Sequence, residues 1–466
     1  MRFGVNYTPR QGWFYSWLDF DRAQVQADFT ALKEIGADHV RIFPLWTLLQ
    51  PNRTYIRPQA IRDVVSVAEV ADDLGLDIFV DVLQGHLSSY DFLPSWVLSW
   101  HERNIFTDPQ VVAAQQNLIT TLAGALADIP HARGLSLGNE IIQFAASRHP
   151  SPQALTSHQA RTWLETLYRT AKAAWPHGIH THSFDDDLWF APDQPFTPEL
   201  ATAIGDLTTV HSWIFGGVGP AYGADAPELA WFARYLCEVA NAWAEIFDCA
   251  PEGRGLWLQE LGAPLNYLHD DAAAATFLTK TIDSLLGAHG GGPTPHLQAI
   301  TWWCSHDVDR HLADFPEVEY GLGLFNSAGE LKPQGQAFQK AITQWGTRAG
   351  TASRAGATSP HPSASSGATS LHAGTTSSPA SDTSSAQNAA APSSAAGPPR
   401  NTLRINICPQ RRDLLDPRHE FFATWVAHAR AGDVRRIVLG TAPTPSPATP
   451  PVAKASFHPQ QAETTA

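Results

Sequence analysis

Eight short apolar runs punctuate residues 1–345 of this chain, each followed by a longer amphipathic stretch. The runs are Phe3–Thr8, His39–Trp46, Asp77–Gly85, Gly134–Glu140, His180–Phe184, Leu207–Trp213, Gly255–Gly262 and Ala299–His306. Apolar residues in succession, as in Ile78-Phe79-Val80, mark strands buried on both faces, and such strands need helices covering a parallel sheet. The intervening stretches carry helix signals. Val25, Phe29, Leu32 and Ile35 recur at helical spacing before Gly36, and Gly75 closes the next helix in the same way. Asp108-Pro109, Ser151-Pro152 and Thr197-Pro198-Glu199 each set a capping side chain before a proline suited to the first helical turn. Eight such units predict an α/β fold, a (β/α)8 TIM barrel with some long loops. A doubly wound open sheet is the alternative, but it would want a glycine-rich phosphate turn where the chain reads Asn6-Tyr7-Thr8-Pro9.

Beyond the barrel the composition changes. Residues 346–400 are rich in Ser, Ala, Thr, Gly and Pro and hold too little apolar surface to offset ordering entropy, which predicts a disordered linker. Residues 401–440 read as strand, helix and strand: Thr402–Cys408, then His419–Ala431 with Phe422, Trp425, Val426 and Ala429 on one face, then Val434–Leu439. Some forty residues are too few for a core of their own, so this segment is expected to dock on the barrel. The Pro-rich tail, 441–466, is expected to be disordered.

A formal charge of −14 argues against nucleic-acid and anionic-membrane partners. Four scattered cysteines form no disulfide framework and no zinc motif. The N-terminus shows no signal-like apolar stretch, and no apolar run is long enough to span a bilayer, so a soluble cytoplasmic protein is expected. His180-Thr181-His182 and the His306, Asp307, Asp309, His311 cluster lack a specific metal-ligand spacing, and loop hydrogen bonding is the expected role. Asp185-Asp186-Asp187 reads as a solvated loop. Oligomeric state is left open.

Barrel chemistry belongs at strand C-termini, and here those ends are polar and aromatic: Asn6 and Tyr7, Arg41 and Trp46, Gln84 and His86, Asn139 and Glu140, His182 and Asp185, His211 and Trp213, Glu260, and finally Trp302, Trp303 and His306. Two strand ends carry a glutamate, in Leu137-Gly138-Asn139-Glu140 and in Gln259-Glu260-Leu261-Gly262. Two carboxylates facing one glycosidic bond are the minimum equipment for its cleavage. At a separation of about 5–5.5 Å one attacks the anomeric carbon while the other protonates the leaving oxygen. Sixteen tryptophans include ring faces suited to sugars, and Trp46, Trp96, Trp100 and Trp213 have the best positions for that.

The Asn139-Glu140 pair, Glu260 within Gln-Glu-Leu-Gly and the Trp302-Trp303 pair resemble the clan A retaining glycoside hydrolases. With Arg41, His86 and His211 added, residues 1–345 are similar to glycoside hydrolase family 5. The segments FGVNYTPRQGWFYSW, FPLWTLLQPNRT and TWWCSHD are similar to its intracellular bacterial β-mannosidase branch, subfamily 18. The resemblance implies Glu140 as general acid/base and Glu260 as nucleophile. It implies Asn139 on the sugar 2-hydroxyl, Arg41 beneath Glu260, and His86 and His211 lining the reacting-sugar subsite, with Trp303 or Trp302 as its floor. The family usually carries His-x-Tyr where this chain reads His211-Ser212-Trp213, and an indole N–H donates but cannot accept.

The expected activity is that of a retaining β-glycosidase, an exo-acting β-mannosidase on short oligosaccharides, with no cofactor. The loops Gln84–Thr107 and Phe215–Glu228 would close the cleft into a pocket. The alternatives are an endo-β-mannanase or β-glucanase, a transglycosidase sharing the covalent intermediate, and a non-catalytic carbohydrate-binding protein.

Overall fold

The computed structural model describes residues 1–346 and 401–441, apart from residues 99, 101–102, 248, 250–252 and 408. The expected linker and tail therefore lie outside the described residues, except at their edges. Seven parallel strands form the central sheet: β1 (Arg2–Asn6), β2 (His39–Ile42), β3 (Asp77–Asp81), β4 (Ala132–Ser136), β5 (Thr208–Ser212), β6 (Leu256–Gly262) and β7 (Leu297–Trp303). Their order is β4-β3-β2-β1-β7-β6-β5, and the sheet curls into a (β/α)8 barrel.

The fifth apolar run, His180–Phe184, is corrected. It forms no regular strand, only an isolated bridge from Thr181 to Ser136 of β4. Ile179, Thr181 and Leu137 still exchange backbone hydrogen bonds along β4, through Arg133 O, Leu135 O and Thr181 O at 2.7, 3.0 and 2.8 Å. On the other flank the link to β5 runs through a side chain, as Thr209 Oγ1 donates to His182 O. The segment thus fills the eighth position while lacking a ladder on one side. Gly134 makes the approach on the β4 side feasible, because a Cβ there would sit 1.6 Å from Ile179 O.

Outside the sheet lie α1 (Arg22–Glu34), α2 (Pro58–Asp73), α3 (Pro109–Leu126), α4 (Ser157–Ala174), α5 (Pro198–Ala203), α6 (Leu229–Ile246), α7 (Asp271–Leu286) and α8 (Pro333–Trp345). Asp108 and Thr197 cap α3 and α5 with a proline in the first turn. Ser151-Pro152 starts no helix. The α4 cap is Thr156, whose hydroxyl accepts from Gln159 N while the Gln159 side chain accepts from Thr156 N, a reciprocal arrangement that satisfies two otherwise orphaned donors. At the barrel floor His39, Phe79, Trp257 and Thr301 interlock. Trp257 Nε1 donates to Thr301 Oγ1 at 2.7 Å and the Phe79 and Trp257 rings lie 4.6 Å apart. Tryptophan is buried here with its N–H satisfied, which removes the usual cost of enclosing it.

The C-terminal extension consists of β8 (Thr402–Ile407), α9 (Glu420–Arg430) and β9 (Arg436–Thr441), the two strands parallel. A two-stranded sheet with one helix cannot bury both faces by itself. The apolar face of α9 packs on α6, with Phe422 against Tyr235 at 4.8 Å and Trp425 against Tyr235 and Trp231 at 5.5 and 6.1 Å. Among the described residues no helix is long and apolar enough to cross a membrane.

Candidate active site

Strand register brings the site together. In β1, Asn6 lies opposite Arg41 of β2 and Trp303 of β7, and in β5 His211 lies opposite Glu260 of β6. Arg41 is fully buried and distributes its guanidinium among acceptors converging from three strand ends. Nη1 donates to Glu260 Oε1 at 2.8 Å, Nη2 donates to Asn139 Oδ1 at 2.6 Å, and Nε pairs with Asp81 Oδ2 at 2.6 Å. A buried guanidinium needs such partners to offset lost hydration, and the planar fork holds all of them in fixed directions. Asp81 was missed in the sequence. Its signal is a carboxylate ending the apolar run Ile78-Phe79-Val80, a position that demands a buried cation.

Glu260 receives a second donor on its other oxygen, from Trp213 Nε1 at 3.3 Å. The departure from His-x-Tyr therefore leaves the carboxylate with a donor on that side. Glu140 sits directly beyond Asn139 in a left-handed conformation, φ 41°, uncommon for a residue with a side chain and often found at functional sites. Its Oε1 lies 2.8 Å from His211 Nδ1. One carboxylate oxygen of Glu140, one of Glu260 and a ring nitrogen of His211 all lie within 4.8 Å of one another. Burial pushes the Glu140 carboxyl well above the usual carboxylate range, and the charges of Asp185 and Glu260 add to that. Burial pulls His211 down, favouring the neutral imidazole. Gln259 Oε1 lies 3.2 Å from His211 Nε2, so an Nε2–H donor leaves Nδ1 as an acceptor for a Glu140 proton.

The constellation opens on a cavity of about 770 Å³, within the range of small-molecule sites. His86, Asn139, Glu140, Trp213, Glu260 and Trp303 all face it. Asn139 donates to His86 O at 3.4 Å, and the His86 ring lies 3.4 Å from Asp91. Arg41 and His211 lie behind the wall and act on the cavity through Glu260, Asn139 and Glu140.

Two expected substrate residues are corrected. Trp302 points to the opposite face of β7 from Trp303; it is fully buried against Phe338 and donates to Leu322 O at 3.2 Å. Side chains alternate along a strand, so only one of the pair can reach the cavity. Trp46 is also fully buried, donating to Gln50 Oε1 and packed edge-on against Trp96 at 6.0 Å. Trp96 and the exposed Trp100 are likewise absent from the cavity lining. The Asp185-Asp186-Asp187 loop is corrected too. All three residues line the cavity, where Arg148 pairs with Asp185 at 3.0 Å and with Asp187. Burial and mutual repulsion raise Asp186 well above the ordinary range.

No protein-family model and no curated protein matches the chain. Solved structures do match. GH5_18 from Streptomyces cattleya in complex with GlcNAc is 40% identical at a TM-score of 0.79, covering 94% of this chain and 93% of that one. A variant of that protein in complex with Manβ1-4GlcNAc gives 40% and 0.78, with 94% of each chain covered. GH5_18 from Bifidobacterium longum subsp. longum ATCC 55813 is 36% identical at 0.78, covering 94% of this chain and 92% of that one.

Proposed function

This chain belongs to subfamily 18 of glycoside hydrolase family 5 and is a glycoside hydrolase, and from that premise we propose that it is a retaining, exo-acting β-mannosidase of short oligosaccharides. Its reading takes a mannosyl unit β-linked to N-acetylglucosamine as substrate, the disaccharide bound by the Streptomyces relative.

The observation that carries the retaining mechanism is the pair Glu140 and Glu260, with carboxylate oxygens within 4.8 Å. That closeness is in keeping with the roughly 5–5.5 Å spacing of a retaining pair, in which a carboxylate attacks directly, rather than the roughly 6.5–9.5 Å at which inverting enzymes seat a water. Glu260, paired with Arg41 and accepting from Trp213, attacks the anomeric carbon. Glu140, protonated through burial and the charges around it, gives its proton to the departing glycosidic oxygen. Glycosylation removes the charge of Glu260 and with it one cause of the raised Glu140 pKa. Glu140 then ionises and takes a proton from the water that releases the sugar. Asn139, oriented by Arg41, holds a hydroxyl beside the reacting carbon, and Trp303 presents a ring edge or face to the same sugar.

Exo action is favoured by the loops around the cavity: His86–Ser89 with Asp91 on one side and Phe215–Gly217 on another both line it. The three described cysteines are unpaired, which fits action in a reducing, cytoplasmic compartment. The test is hydrolysis of p-nitrophenyl β-mannoside and β-glucoside by wild type and by Glu260→Ala, the variant also with azide. Mannoside turnover lost in the variant and partly restored by azide supports the reading. Full activity in Glu260→Ala sinks the mechanism, and a preference for glucoside sinks the substrate.

A further inference from the structure

The segment Trp13–Trp17, aromatic at every position but Ser16, lines no part of the catalytic cavity. It forms a 3-10 turn between β1 and α1, and its rings face two ways. Trp13 and Phe14 are buried. Phe14 packs on Phe92 at 4.6 Å and Trp13 on Phe315 at 5.7 Å, in the apolar cluster that also holds Trp213 and Trp303. Tyr15 and Trp17 turn outward. Tyr15 is 41% exposed, and the half-buried Trp17 stacks with Phe20 at 6.3 Å and an interplanar angle of 10°. These rings border a second cavity of about 310 Å³, room for a small saccharide or a compound of similar size. It shares no lining residue with the catalytic cavity.

This second cavity has an apolar floor and a polar rim. Tyr7, Val25 and Val67, all buried, form the floor. Trp17 Nε1, the hydroxyls of Tyr15 and Ser16 and the carboxylate of Asp19 belong to the rim, none with a hydrogen-bond partner among the described residues. Asp21, by contrast, is occupied in capping α1 through Ala23 N and Gln24 N. The set of groups selects its ligand. No lysine or arginine lines the cavity, so an anion would meet Asp19 and Asp21 with nothing to offset the repulsion. An aliphatic ligand would cover four polar groups without pairing them. An organic cation would suit the rings and Asp19 but offers no acceptor to the indole N–H. A pyranose meets every requirement: a C–H face for the rings, and hydroxyls that donate to the carboxylate and accept from the indole.

We propose that this cavity is an auxiliary binding site for an uncharged pyranose, with Trp17 and Tyr15 against the face of the sugar and Asp19 accepting from its hydroxyls. The site is separate from the catalytic cavity, and the inward rings of the same turn lie between the two. It depends neither on the glycone nor on the mechanism assigned above.

Fluorine NMR of the full-length protein carrying fluorotryptophan tests this, with mannose, glucose and N-acetylglucosamine as probes and choline as the cationic comparison. These free sugars have no glycosidic bond to lose, so the readout stands whether or not the mannosidase reading holds. Trp17→Phe assigns the Trp17 resonance by its loss, and Trp213→Phe assigns one that reports the catalytic cavity. At least one sugar is expected to shift the Trp17 resonance saturably, with a midpoint different from that of the Trp213 resonance. Asp19→Ala should raise the Trp17 midpoint about tenfold, the scale of a hydrogen bond to a charged group. It should leave the Trp213 midpoint and aryl glycoside turnover unchanged. A Trp17 resonance that no sugar moves, that moves only in step with Trp213, that responds to choline alone, or whose midpoint is indifferent to Asp19→Ala would each overturn the proposal.

Discussion

The indole Nε1 of Trp213 lies 3.3 Å from Oε2 of Glu260, on the opposite side of the carboxylate from the Arg41 guanidinium. Two donors of different kinds thus fix both oxygens of one side chain. The guanidinium supplies charge and the indole supplies direction, since a ring N–H points along one line only.

Removing the indole donor tests its share. Trp213→Phe keeps a ring beside Trp303 but leaves Oε2 without that bond. A hydrogen bond to a charged group contributes about 1.5–3 kcal/mol, so kcat should fall about 10- to 100-fold with little change in KM. Trp213→Tyr restores an O–H donor and should recover part of the rate. Steady-state kinetics of both variants decides it: an unchanged kcat in Trp213→Phe shows that Arg41 alone orients Glu260.

Asp185 offers a test of the acid. Burial is the main reason the Glu140 carboxyl is raised, with the Asp185 charge next. Glu140 must be protonated to donate, so activity falls as pH rises through its pKa. Asp185→Asn removes one raising influence and should move the alkaline limb of kcat/KM to lower pH. A limb that moves upward, or stays in place, assigns that limb to another group.

Much of this site was legible in the chain. Asn139, Glu140 and Glu260 follow apolar runs, and a strand end in a barrel delivers its next residues to the open face. Trp302 and Trp303 could not be told apart that way, because the phase of the strand pleat depends on register, set by Asn6 lying opposite Trp303. Trp46 was misjudged for a related reason: after β2 ends at Ile42, the chain turns into a short helix that aims the indole into the core. His180–Phe184 has strand-like composition, but one of its ladders is replaced by a side-chain bond, which composition does not encode. Arg148 and the triple aspartate are far apart in sequence, and only tertiary packing turns a run of acids into a paired, buried cluster.

Arg41 and Asp81, both fully buried, separate stability from function. Asp81→Ala leaves a buried guanidinium short of one counterion and should cost about 3–5 kcal/mol of stability. Because Glu260 shares the same guanidinium, the triple variant Asp81→Leu, Arg41→Met, Glu260→Gln is the one that removes every charge of the cluster; it should regain much of that stability while remaining inactive. Denaturation curves read beside activity assays check this. A triple variant no more stable than Asp81→Ala would mean the cluster is needed for folding rather than for the site.

His182 predicts a pH dependence of stability. The ring is buried, its Nε2 donating to Leu164 O at 3.1 Å, while Nδ1 is enclosed with no hydrogen-bond partner among the described residues. Burial pulls its pKa from 6.5 down to about 4. Below pH 6.5 the unfolded chain takes up a proton that the folded chain refuses until about pH 4, so stability is full above the unfolded value and drains away as pH falls between the two. The loss from this one group approaches about 3 kcal/mol. Carboxyls raised by burial, such as Asp28 and Asp186, work in the opposite sense, so the wild-type curve alone does not isolate it. The difference between wild type and His182→Gln does, because glutamine can keep a donor towards Leu164 O and cannot titrate. Thermal midpoints at pH 7 and pH 4.5 should converge, or cross in favour of the variant, as acid strips the histidine's contribution. Parallel loss in both proteins would place the acid sensitivity elsewhere.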